Sequence, residues 1–245
     1  MPGQLDVYLF EHLVGQLVQV NGRLNFSYTP DWLARINAHA LSHSLPLQTA
    51  PFDDRATRPF FAGLLPEGDK RKLVAQALQV SRQNDFGLLD GIGGECAGAV
   101  TLLESGHALP APHTPPAVRW LDDAQLLRLL DEMPQRPMLA GEDGLRLSLA
   151  GAQDKLPVVA SNTELGNRIG LPLLGTPSTH IIKPAIAGID GSVHNEGFCM
   201  ALAVAMGLDV APASVRQMEG RPYLLVTRYD RVPATDTDGS PTRLH

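Results

Sequence analysis

Between Leu147 and Val159 the chain reads LSLAGAQDKLPVV, and the run Ala150-Gly151-Ala152 at its centre constrains the fold more than any other stretch. Two β-like segments flank it, so the backbone has to turn within a few residues that carry almost no side chain. Small residues let a ligand approach the main chain closely, and a row of backbone amides in such a loop makes a cradle for an anion. Ser148 stands just before the run and Lys155 just after it. An ordinary tight turn in a sheet has the same spacing, so this stretch alone leaves both readings open.

The surrounding chain supplies context. Val7 to Tyr28 alternates apolar and polar positions, with Asn21-Gly22 between two runs; this predicts a hairpin within a small antiparallel meander. Thr29-Pro30-Asp31 opens a short helix, with proline where no amide donor is needed. Helical pieces are expected around Phe60–Leu65 and Asp69–Leu78, and Gly93 to Leu103 reads as a glycine turn feeding the strand AGAVTLL. The prolines of Pro110–Pro116, PAPHTPP, disfavour both helix and sheet interior and mark a linker. A helix follows from about Asp122 to Met133, ended by Pro134 and Pro137. From Leu145 the pattern becomes strand, glycine loop, strand, and then the strand THIIK ending in Lys183. Asn195 to Met206 is helical with Gly207 as its left-handed cap, and Ser214–Met218 and Pro222–Thr227 form a hairpin around Glu219-Gly220.

The expected fold class is therefore α+β. A meander-plus-helices module covers 1–108, a proline-rich linker and connecting helix cover 109–144, and a second antiparallel sheet with one main helix covers 145–245. The formal charge of −6 argues against a chain that holds nucleic acid by its own bulk electrostatics, while leaving room for a basic patch or a basic partner. The N-terminus lacks the pattern of a signal peptide, and no apolar run is long enough to span a bilayer. Cys96 and Cys199, far apart in sequence, read as free thiols in a reducing cytosol.

Four elements fall in a telling order: a glycine loop between strands, a strand ending in Lys183, a helix beginning near Glu196, and a hairpin ending TRYDR. That is the order of the N-terminal lobe of a protein kinase. There a strand lysine meets the nucleotide phosphates while a helix carboxylate holds it in place. Glu196 is read into the first turn of its helix, where the dipole favours its charged form. The strand after the hairpin would offer backbone groups to an adenine edge.

In series, the motifs SLAGAQDK, THIIKP, HNEGFC and VTRYDR resemble those of the HipA family of bacterial toxin serine/threonine kinases. The likeness reaches back through FSYTPDWL, LSHSLPLQ and IGGECAGAVTLL and covers nearly the whole chain. It implies that Ala150, Gly151, Ala152, Gln153, Asp154 and Lys155 form the phosphate loop, that Lys183 binds the nucleotide phosphates, and that Thr227, Arg228 and Tyr229 form the adenine-contacting hinge. Glu196 is the partner of Lys183 by kinase analogy. Ser148 matches an autophosphorylated serine, where a charge of about −1.5 to −2 beside the loop would switch the kinase off. The resemblance further implies ATP and Mg²⁺ as cofactors and a cytoplasmic protein. It also implies a translation component such as an aminoacyl-tRNA synthetase as target, and a HipB-like helix-turn-helix antitoxin that carries the contact with operator DNA.

Simpler readings stand beside these. Ser148 on its own would be an exposed strand hydroxyl, Lys183 the end of an edge strand before Pro184, and Glu196 a first-turn acid. Asp230 would approach a ribose or pair with Arg228 or Arg231. Gly91 to Gly98, GIGGECAG, departs from the dinucleotide fingerprint at Cys96 and reads as a turn. His39 and His43 have no third ligand nearby in sequence, so no metal site is expected in this chain. Asp190 and Asn195 mimic a kinase catalytic loop but precede the hinge, and are read as loop and helix cap. The catalytic acid and the metal ligands are expected beyond His245, so the chain as written is expected to be an inactive fragment. It would expose an apolar face where the remaining lobe sits. The rival expectation is a non-catalytic antitoxin- or subunit-binding module, or a nucleotide-binding half complemented by a separate C-lobe.

Overall fold

A computed structural model describes residues 3–107, 109, 116–163, 166–173, 175–232 and 242–244. Apart from Pro116, the proline-rich linker lies outside the described residues, as does His245. The first ladder comprises β1 (Gly3–Leu9), β2 (His12–Val20), β3 (Arg23–Tyr28) and β4 (Val100–Glu104), in the order β3-β2-β1-β4. Asn21 and Gly22 both take positive φ, 50° and 76°, and make the two-residue turn between β2 and β3. Between β3 and β4 run α1 (Pro30–Leu33), α2 (Asp54–Ala62), α3 (Gly68–Ala77) and α4 (Asp85–Ile92). They share a buried core with the sheet that includes Val7, Leu17, Phe26, Phe61 and Leu89.

Two helices differ from expectation. The helix placed at Phe60–Leu65 starts at Asp54, because the Asp53 side chain accepts the Ala56 amide at 3.0 Å and caps it there; Pro59 lies inside the helix. The helix α4, DFGLLDGI, was not anticipated, since two glycines weaken its intrinsic preference. Burial of Phe86, Leu88, Leu89 and Ile92 and a cap from Asn84 to the Gly87 amide outweigh that deficit.

The second sheet is built from β5 (Val118–Trp120), β6 (Leu156–Thr163), β7 (Gly166–Pro172), β8 (His180–Pro184), β9 (Ala213–Met218) and β10 (Arg221–Thr227), in the order β5-β7-β6-β8-β10-β9. Every neighbouring pair is antiparallel. A short ladder of β11 (Arg231–Val232) and β12 (Thr242–Arg243) follows. The helix α5 (Asp123–Glu132) is opened by a capping box between Asp122 and Gln125, and its leucines Leu126, Leu129 and Leu130 share a core with Leu156, Ile182 and Leu225.

The other face of this sheet carries α6 (Ser192–Ala205). A Cβ on Gly197 would collide with Val215 and sit 3.4 Å from Leu224, so the missing side chain lets the helix lie close. Leu224 pairs with Lys183 on one side and Val215 on the other, and directly paired residues share a face. Lys183 therefore projects on the side of α6, and Ile182 on the side of α5. The α6 helix starts at Ser192 after Gly191, three residues earlier than expected, with the Asn195 amide bonded to the Gly191 carbonyl at 2.8 Å. Asn195 is thus inside the helix and not its cap. Glu196 falls in the second turn, where the dipole contributes less than the expected first-turn position would give.

Candidate functional site

Lys183 Nζ and Glu196 Oε1 are 2.5 Å apart, joining β8 to α6, with the two side chains 22% and 30% exposed. The pair is solvated at its outer edge and open to a ligand. On the neighbouring strand, Leu156 pairs with Ile182, so continuing the antiparallel register by one step sets Lys155 opposite Lys183. The electrostatics agree with that placement. Burial lowers the pKa of Lys155, the Lys183 charge lowers it further, and Glu67 and Glu196 act in the opposite direction. Lys155 Nζ also donates to the Ala150 carbonyl at 2.5 Å and so folds back over the loop. The small-residue bend, both lysines and Glu196 are thus neighbours.

Gly151 has φ of +107°, a region that side chains rarely adopt, and a Cβ there would sit 2.7 Å from Lys155 Nζ. The positive φ is what calls for glycine here, since the end of the lysine side chain could move aside. The segment before it differs from the expected strand. It makes isolated parallel bridges, Glu95 with Leu147 and Pro66 with Gly151, in place of a hairpin with β6. Its backbone groups are satisfied by the first module: Glu95 N donates to Arg146 O at 2.7 Å, Ser148 N to Glu95 O at 2.9 Å, and Glu67 N to Gly151 O at 3.2 Å. Lys70 of α3, which no motif singles out, lies 2.7 Å from the Asp154 carboxylate. The loop is seated on the N-terminal module.

Ser148 is fully buried, and its hydroxyl donates to the Leu64 carbonyl at 2.6 Å. The exposed strand hydroxyl anticipated as the simple reading is not what the fold presents. Ala150 and Gln153 are half-buried and Ala152 is exposed at the bend.

The strand partnered with Lys183, β10, finishes at Thr227, whose amide donates to Pro212 O at 2.8 Å, and the Arg228 amide donates to Thr179 O at 3.0 Å. Tyr229 is 85% exposed. The Arg228 side chain turns inward and is buried, so its guanidinium is not presented at the surface as the hinge expectation would have it. Its guanidinium meets Glu95 at 3.2 Å and Asp230 at 2.6 Å. Asp230 pairs with Arg231 as well, at 3.0 Å, and accepts the Gly98 amide at 2.7 Å. The carboxylate is thereby committed to arginines and not to a ribose.

Glu95 is the hub of this interior cluster. Its Oε1 accepts from Ser178 N and Oγ, from Arg228 and from Arg231, and its Oε2 accepts from Arg243 at 2.8 Å. Burial alone would raise its pKa, but Arg243, Arg231 and Arg228 together hold it down at about 2. The adjacent Cys96 thiol is pushed up to about 12, chiefly by burial, and is inert as a nucleophile at neutral pH. The sequence reading took this stretch for a turn only. The available signal was a lone acid between a glycine and a cysteine in an otherwise apolar run.

Among the described residues no group of three or more histidine, cysteine or acidic side chains is placed to hold a metal ion. No helix among them is long and apolar enough to cross a membrane.

Comparison with known proteins agrees with this architecture. Residues 5–103 match the family model for the HipA N-terminal domain, and residues 147–245 match that for the HipA-like C-terminal domain. A putative kinase, Y4mE of Sinorhizobium fredii, is 49% identical over 98% of this chain and 57% of its own length. The serine/threonine-protein kinase toxin HipA of Shewanella oneidensis is 28% identical over 93% of this chain and 50% of its own. A solved complex of Shewanella oneidensis HipA with HipB and operator DNA superposes with a TM-score of 0.77 at 26% identity, covering 98% of this chain and 54% of that one. The chain spans about half the length of the curated relatives it matches.

Proposed function

Since the chain belongs to the HipA family, a family of kinase-like proteins, we propose that it is the nucleotide-binding half of a HipA-type serine/threonine kinase of a toxin-antitoxin system. The observation that carries this reading is the placement of Lys155 opposite Lys183, with Glu196 bonded to Lys183, beside the Gly151 bend. Two ammonium groups beside the small-residue run 150–152 fit a polyphosphate, and the Glu196 contact fixes the direction in which Lys183 points. The loop 150–155 would contact the phosphates, and Thr227 to Tyr229 would meet the adenine through backbone groups and the exposed Tyr229 ring.

ATP supplies the transferable phosphoryl group when bound. These residues bind and orient its phosphates and exclude water from one side of the cleft. The Mg²⁺ ligands and the acid that orients a substrate hydroxyl would come from sequence outside the described residues, among which no group of three or more histidine, cysteine or acidic side chains is placed to hold a metal. In the whole protein the acceptor would be a translation component such as an aminoacyl-tRNA synthetase. A HipB-like antitoxin would bridge to operator DNA, as the solved relative's complex contains both. The protein would act in the cytoplasm, with autophosphorylation at Ser148 as its off-switch.

A second reading, docking of a separate C-lobe or another subunit, draws on α6, where Phe198, Leu202 and Val204 are 65%, 47% and 58% exposed. The deciding experiment is calorimetric titration of an ATP analogue, with and without Mg²⁺, into this chain and into one extended to the length of its relatives. Binding lost in a Lys183→Met variant supports the kinase reading. No binding in either chain rejects it.

A further inference from the structure

Glu95 touches both the segment before the small-residue loop and the segment after β10. Its backbone carbonyl accepts the Ser148 amide at 2.9 Å, and its own amide donates to Arg146 O, so residues 146–148 are held against it by two hydrogen bonds. Its carboxylate binds Arg228 and Arg231, on either side of Tyr229 and Asp230 at the hinge. Ser178 Oγ links the two, donating to Glu95 and accepting from Arg228 at 2.9 Å each. The side chains of Glu95, Arg228 and Arg231 are 3% exposed or less. Three arginines face two carboxylates here, so losing the Glu95 charge leaves buried guanidinium groups without compensation.

We infer that Glu95 is a positioning residue that ties the hinge to the seat of the small-residue loop, so that displacement of one end loosens the other. The meaning of this link for nucleotide binding rests on the kinase reading above; the link itself does not. A local cluster of this kind moves as a unit, because its members share partners and none can leave alone without stranding a buried charge. Detachment of the Ser148 segment removes the hydrogen bonds that fix the Glu95 backbone, and the hinge arginines follow.

Hydrogen exchange on the nucleotide-free chain tests this. Glu95→Gln should speed exchange about tenfold or more in both 146–151 and 227–231 while β1 to β3 stay protected. A rise confined to one segment, or spread evenly over the chain, overturns the inference. Should Glu95→Gln fail to fold, Ser178→Ala removes only the hydroxyl between Glu95 and Arg228. It should loosen the same two segments by a smaller factor, and loosening at the hinge alone again overturns the link.

Ser148→Asp supplies a readout that a merely structural residue would not give. It should loosen 227–231 in the parent chain and add nothing in a Glu95→Gln background, whereas additive effects reject the coupling. Coupled exchange, with no ATP-analogue binding by this chain or by the one extended to the length of its relatives, supports the link and rejects the kinase reading. ATP binding without coupled exchange does the reverse.

Discussion

Lys155, just before β6, faces Lys183 of β8 when the register of the Leu156–Ile182 pair is continued by one step, though 27 residues separate the two lysines in sequence. Like charges at such a position repel, and one lysine is half-buried with a lowered pKa. An anion between them removes the conflict. Lys183→Met should therefore weaken ATP-analogue binding by about tenfold or more, a difference of about 1.4 kcal/mol. Its partly solvated pair with Glu196 contributes only about 0.2–1 kcal/mol to folding, so the melting temperature should shift by no more than about 2–4 °C. Titration calorimetry beside thermal unfolding separates the two effects.

Gly151→Ala forces a side chain into φ of +107° and against Lys155 Nζ. The expected cost is about 1–3 kcal/mol, with reduced nucleotide affinity. Denaturant unfolding and a binding titration check both.

The fold class and the order of elements were legible because they rest on local rules: Asn21-Gly22 for a turn, Asp122 with Gln125 for a cap, alternation for strands. The order of small-residue loop, Lys183 strand, Glu196 helix and closing hairpin could be read from the motifs, and the Lys183–Glu196 contact accords with it. The seat of the loop could not, since Ser148 to Leu64 and Asp154 to Lys70 join residues 84 apart in sequence. The same holds for Arg228, which reads as a hinge residue and is drawn inside by Glu95 from 133 positions away. The start of α6 was missed because its cap is a glycine with no side-chain hydrogen bond to announce it.

Acid should unfold the protein through its interior cluster. Glu95 and Asp230 are held at about 2, below their ordinary values of 4.5 and 3.8. Depressed carboxyl values contribute stability that is fully present above the unfolded-state values and is lost as pH falls through the folded ones. Stability should hold level above about pH 5 and decline between about 4.5 and 2. Glu95→Gln should flatten that decline while lowering stability at neutral pH by about 3–5 kcal/mol. Urea titrations across the pH range test this.

A phosphate cannot be accommodated on the Ser148 hydroxyl where it lies, fully buried against the Leu64 carbonyl. Ser148→Ala should cost only about 1 kcal/mol. Ser148→Asp should expel the segment and open 147–155 to proteolysis, which mass mapping of the fragments would locate. Equal cleavage of parent and Ser148→Asp chains would count against the proposed off-switch.

Exposed apolar side chains on α6, including Phe198 and Val204 at 65% and 58%, should make this chain self-associate as concentration rises. Phe198→Glu should shift sedimentation toward the monomer without changing the circular dichroism spectrum.

Gly197, the immediate neighbour of Glu196, sets how near α6 comes to β9 and β10. The reach of the carboxylate is therefore gauged by an atom that is not there. Adding even a methyl group would wedge the helix outward, and Glu196 would fall short of its amine although neither member of the pair had been altered.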